Sequence, residues 1–144
     1  MLPMKVFRGQ VTSGYGEATP NLAPVMQLIE QRTGLTKLVP GTLNVIIPEE
    51  YIVRADAFIY PEEYPRNQKM NDHETIKLQR CIVAGYKAII MRPDSHELGA
   101  GQYHGKKYLE LMGQRNFRET LQLTNESYVE VEVEGDDKWW HAGL

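Results

Sequence analysis

The spacing of apolar positions changes several times along the chain, and each change predicts an element. KVFRGQVT at 5–12 alternates and predicts a strand. SGYGEATP at 13–20 interrupts it with a glycine-bearing loop. Leu22, Val25, Met26, Leu28 and Ile29 then fall at helical spacing, with Gly34 as a stop and Pro24 placing the helix start near itself. Pro40-Gly41 marks a turn before the strand TLNVII. There Leu43, Val45 and Ile47 share one face, and Thr42, Asn44 and Ile46 the other. Residues 48–75, rich in Pro, Glu, Asp and Asn, read as a long connection with one short strand near 57–60. IKLQRCIVAG and YKAIIMRP predict an antiparallel strand pair. SHELGAGQYHGK is a second glycine-bearing loop, YLELMG a short strand and RNFRETLQL a short helix. SYVEVEVEG alternates most clearly: Val129, Val131 and Val133 are expected in the core, and Glu130, Glu132 and Glu134 in water.

Many short strands with one or two short helices predict a mainly β, compact barrel. The strand–helix alternation of a doubly wound sheet is missing. Neither a repeat nor an internal boundary appears, so residues 1–144 read as a single domain, with about 136–144 as a tail bearing Trp139 and Trp140. The formal net charge of −3 gives no basic stripe, which argues against a nucleic-acid partner. Cys81 is the single cysteine; it excludes an internal disulfide and sits in an apolar run, as a buried structural thiol does. With no long apolar segment, a cytoplasmic protein without membrane association is expected, as a monomer or small homo-oligomer.

Three stretches carry candidate chemistry. Gly14 and Gly16 allow a tight turn whose N–H groups point at an anion, or simply a strand-to-helix turn; no Walker or dinucleotide fingerprint follows. Thr42 and Asn44 offer neutral, hard oxygens on one strand face, suited to a nucleotide-bound Mg²⁺ or to hydrogen bonds at a barrel rim. Glu110 points opposite to Leu109 and Leu111, towards a barrel mouth or solvent, while Arg115 and Arg118 open a short helix where they grip phosphate or lie as surface charges. Tyr103 and His104 lie in the second loop. The four histidines are scattered, and neither a Ser-His-Asp set nor HExxH is present.

Taken in order, GQVTSGYGEA, a helix, PGTLNV, and a late Y-H…E…R-E-x-L segment before a valine strand resemble the archaeal-type CTP-dependent riboflavin kinases. The likeness runs over about residues 5–135 and is loosest between 50 and 80. It implies a six-stranded cradle-loop β-barrel that transfers the γ-phosphate of CTP to the riboflavin 5′-hydroxyl, giving FMN and CDP. It further implies that Gly14, Tyr15, Gly16, Glu17, Ala18 and Thr19 lie along the nucleotide, and that Arg115, Asn116, Phe117 and Arg118 close over it. Thr42 and Asn44 would hold Mg²⁺. Gln102 and Glu110 would meet the flavin, with Glu110 the catalytic candidate and Phe117, Tyr103 and Tyr108 near the ring. Three positions depart from the family's pattern: Ala18 replaces a glycine, Gln102 a threonine and Asn116 a lysine. The alternative reading is a non-catalytic nucleotide- or flavin-binding barrel, or a kinase of this fold with another acceptor or donor.

Overall fold

The computed structural model describes residues 4–13, 25–64, 74–94 and 105–135. Seven strands are present among them: β1 (Lys5–Thr12), β2 (Leu43–Ile46), β3 (Ala57–Ile59), β4 (Ile76–Val83), β5 (Tyr86–Pro93), β6 (Tyr108–Gly113) and β7 (Tyr128–Val133). Two α-helices accompany them, α1 (Met26–Thr33) and α2 (Phe117–Thr120). All pairings are antiparallel, in the order β3-β4-β5-β6-β2-β1-β7. β7 returns to β4, with Ile82 opposite Glu132 and Val83 opposite Val131, and closes six strands into a barrel. β3 lies outside that ring, on the N-terminal half of β4. The protein is therefore the mainly β barrel that the patterning predicts, with the six strands that the resemblance implies.

Alternation sorts the side chains into two cores. Inside the barrel lie Phe7, Val11, Val45, Ile90, Leu111 and Val131, among others. On the outer face of β4, β5 and β6, Ile76, Leu78, Ile89, Met91 and Met112 meet Val25 and Ile29 of the helical segment. That second core explains the apolar stripe of α1, which starts at Met26 and so leaves Pro24 before it. Gly34 takes the left-handed conformation (φ 79°) and donates its N–H to the Glu30 carbonyl, ending the helix as expected. Cys81 is buried, and burial pushes its thiol pKa up, which keeps it inert. No helix among the described residues is long and apolar enough to cross a membrane.

Two ionic features hold the frame. Arg92 is fully buried at one end of the barrel and donates to the carbonyls of Tyr51, Lys106 and Tyr108. It thereby pins the 3-10 turn Gly105–Lys107 that leads into β6. Arg32 of α1 reaches across to Glu63 in a two-pronged ion pair and donates to the Phe58 carbonyl at 2.8 Å. Those bonds, with the Tyr60 N–H, hold the Glu63 carboxyl down at about 2. A depressed carboxylate stabilises the fold above its unfolded value, and that contribution is lost as pH falls from about 4.5 towards 2. Glu63→Gln should therefore lower stability by about 1–2 kcal/mol at pH 7, the pair being partly exposed, and by much less near pH 2. Urea titrations at the two pH values check this; an equal loss at both would remove the ionic explanation.

One expectation needs correction. Glu130 is exposed, but Glu132 is half-buried, and Glu134 does not extend the solvated row. It lies past the end of β7 at φ 67°, pairs with Arg54 at 3.6 Å and is mostly covered. The alternation ends with the strand.

Candidate functional site

The 39–42 turn sits against the end of β6, because the Val39 N–H donates to the Gly113 carbonyl at 2.9 Å. Gly41 makes the turn at φ 98°, a conformation that favours glycine. The chain then enters β2, and register aligns Thr12, Asn44, Glu110 and Met91 in one row across β1, β2, β6 and β5. Directly opposed positions on one face place their side chains within contact reach. Asn44 is buried, and its Oδ1 accepts the Thr42 hydroxyl at 3.2 Å.

Glu110 shares the outer face with Met112, and it opens neither into the barrel nor simply to solvent. It faces opposite to Leu109 and Leu111 as expected, on the outer face and not at the barrel mouth, half-buried opposite Asn44. Burial first, and the charge of Glu74 second, push it up to about 7. At neutral pH this carboxyl is poised both to donate and to accept a proton.

Beside the row lies a pocket of about 230 Å³. It is lined by Pro40, Gly41 and Thr42 of the turn, by Leu111 and Gly113 of β6, and by the wall Arg115 to Arg118. Thr42 lines the pocket and donates to Asn44 of the row. The 115–118 wall is fixed by several contacts. The Arg115 guanidinium lies 4.2 Å over the Tyr86 ring. Asn116 caps α2, its Oδ1 accepting the Glu119 N–H at 3.1 Å. Arg118 donates through Nη2 to the Thr12 carbonyl and to Asn125 Oδ1, at 3.1 and 2.7 Å.

The structure thus brings Thr42, Asn44, Glu110 and Arg115 to Arg118 to one end of the barrel. Gly14, Tyr15, Gly16, Glu17, Ala18, Thr19 and Gln102 lie outside the described residues, as do Tyr103, His104, Trp139 and Trp140. The aromatic expectation changes. Phe117 is a core residue, 4% exposed, with its ring against Gly113. Tyr108 is 1% exposed. Neither is a free platform for a flat ring; Phe117 supports the pocket wall from behind. Sequence reading missed Tyr86, Gly113 and Asn125. Only Gly113 left a signal, as the small residue ending an apolar strand.

Among the described residues no cluster of three His, Cys, Asp or Glu could hold a metal ion. The oxygen set at Thr42 and Asn44 is of a different kind, neutral and sparse, and it suits a cation that keeps waters and phosphate oxygens in its shell.

No curated protein matches the chain. The family model for CTP-dependent riboflavin kinases, described as "Domain of unknown function DUF120", matches residues 11–133. That span holds the whole polar row, both pocket walls and nearly all of the barrel, and the chain belongs to this kinase family.

Proposed function

We propose that the protein phosphorylates riboflavin at its 5′-hydroxyl, with CTP as donor and Mg²⁺ as cofactor, giving FMN and CDP. The observation that carries the reading is one juxtaposition. Asn44, buried and holding the half-buried Thr42 hydroxyl, stands in register with Glu110, a carboxyl of raised pKa, beside a pocket lined by arginines.

Phosphoryl transfer needs positioned reactants and neutralised charge more than covalent help. Thr42 and Asn44 fit Mg²⁺, since two neutral oxygens leave room for phosphate oxygens and water; when bound, the ion neutralises charge on the phosphate chain. Arg115, held over Tyr86, presents fixed positive charge at the pocket wall. Glu110 orients the acceptor hydroxyl and takes its proton as the oxygen bonds to the γ-phosphorus. The bond from that phosphorus to the bridging oxygen breaks, and CDP leaves.

Purified protein with Mg²⁺, riboflavin and each of CTP, ATP, GTP and UTP should form FMN with CTP, as read by chromatography. The absence of FMN with every nucleotide would sink the proposal and favour a barrel that binds without turnover. Asn44→Ala should weaken Mg²⁺-dependent CTP binding by about tenfold or more, with little change in melting temperature. Calorimetry with and without Mg²⁺ measures this. Unchanged affinity in both Asn44→Ala and Thr42→Ala would remove the metal assignment.

A further inference from the structure

We infer that Asn125, a residue outside every stretch tied above to the nucleotide, is a positioning residue that ties Arg118, which lines the pocket, to the end of β1. The inference rests on the proposed function. Arg118 lines the pocket, and Ser13 directly follows β1. Asn125 touches both: its Oδ1 accepts Arg118 Nη2 at 2.7 Å, and its Nδ2 donates to Ser13 Oγ at 2.7 Å. The amide orientation follows from chemistry, because a guanidinium only donates and so requires the oxygen. Ser13 and Asn125 stand 112 positions apart in the chain, so the contact ties remote segments.

The backbone supports the bridge. The Glu126 N–H donates to the Val11 carbonyl at 3.1 Å, and the Val11 N–H to the Ser127 carbonyl at 2.8 Å. Thr124 and Ser127 close the turn on themselves, the Thr124 N–H reaching Ser127 Oγ and the Ser127 N–H reaching the Thr124 carbonyl. This turn therefore rides on the end of β1 and carries Asn125 with it. Arg118 completes the triangle by donating to the Thr12 carbonyl. One of its terminal nitrogens is thus committed to protein and fixes the angle between α2 and the exit of β1. Asn125 and Ser13 are exposed, so their bonds add little to global stability. Their effect lies in geometry, where a displacement of about 1 Å changes phosphate recognition steeply.

Three variants test the bridge: Asn125→Leu, which removes both arms, Ser13→Ala, and their double. Asn125→Asp is the conservative control, since a carboxylate accepts from Arg118 and from the Ser13 hydroxyl. Asn125→Leu should raise the KM and Kd for Mg-CTP by about tenfold, leaving kcat and the riboflavin KM within about twofold. Asn125→Asp should stay near wild type, and the double variant should be no worse than Asn125→Leu. If Asn125→Leu lowers the melting temperature substantially, Ser13→Ala decides alone, with a several-fold rise in nucleotide Kd expected. Wild-type nucleotide affinity in Ser13→Ala and a folded Asn125→Leu overturns the inference, as does a strictly additive double variant. Wild-type protein that binds no nucleotide overturns the proposed function itself, and this inference with it.

Discussion

Gly113→Ala is expected to damage both stability and nucleotide affinity. A Cβ on Gly113 would lie 2.6 Å from Phe117 Cζ, 2.8 Å from Cε2 and 3.3 Å from the Lys87 carbonyl oxygen. Neither obstacle yields easily. Lys87 belongs to the β5 backbone, and the Phe117 ring is buried in the barrel core and tilted against Tyr86 at 6.4 Å between centroids. Forcing a methyl into such a contact costs about 1–3 kcal/mol. The ring is the softer party, so it moves, and α2 moves with it. That shift carries Arg115 and Asn116 away from the Thr42 wall. Gly113→Ala should melt several degrees lower and bind Mg-CTP more weakly. Adding Phe117→Leu, which removes the clashing atoms, should recover part of the melting temperature without restoring affinity, because the wall loses its support. Paired thermal melts and calorimetry test this; a Gly113→Ala protein with wild-type affinity would show that the wall is not set by this contact.

Local patterning in the sequence was enough to predict most of the strands. The alternation of VEVEV and the helical stripe ending at Gly34 are sequence-local signals, and both elements appear where the spacing puts them. Which strands close the barrel was not legible, because the β4–β7 pairing depends on twist accumulated around the whole sheet. The site divides in the same way. Thr42 and Asn44 share a face by alternation alone, and their hydrogen bond follows. The alignment of Asn44 with Glu110 is a register between remote strands, which no local pattern encodes. Phe117 shows the limit most sharply. An aromatic residue beside arginines suggests a ligand platform, but a one-turn helix gives no periodicity to say which way the ring points. Asn125 left no signal in the sequence, since the contact that gives it a role reaches Ser13, 112 positions away.

Glu110→Gln is expected to change activity and stability in opposite directions. Turnover depends on a carboxyl that can take the acceptor proton, so kcat should fall by about a hundredfold or more while CTP affinity stays unchanged. Stability follows from the raised pKa. The half-buried carboxyl is pushed up to about 7 because burial and Glu74 both disfavour its charged form, whereas an unfolded glutamate ionises near 4.5. Below about 4.5 the group is protonated in both states and adds no penalty. As pH rises through the interval to 7, the unfolded chain gives up its proton first and the native state loses ground. Above 7 the penalty is full, about 1–2 kcal/mol once solvent screening of the half-buried carboxyl is allowed for. A neutral glutamine never incurs it. Metal-free Glu110→Gln should therefore melt higher than wild type at pH 8 and alongside it at pH 4. A gain that is the same at both pH values would assign the effect to packing and not to charge. A rate unaffected by the substitution would reduce Glu110 to a residue of the rim. The combination of a slower enzyme and a sturdier fold at pH 8 would mean that the barrel sustains an unfavourable buried carboxyl for the proton it moves.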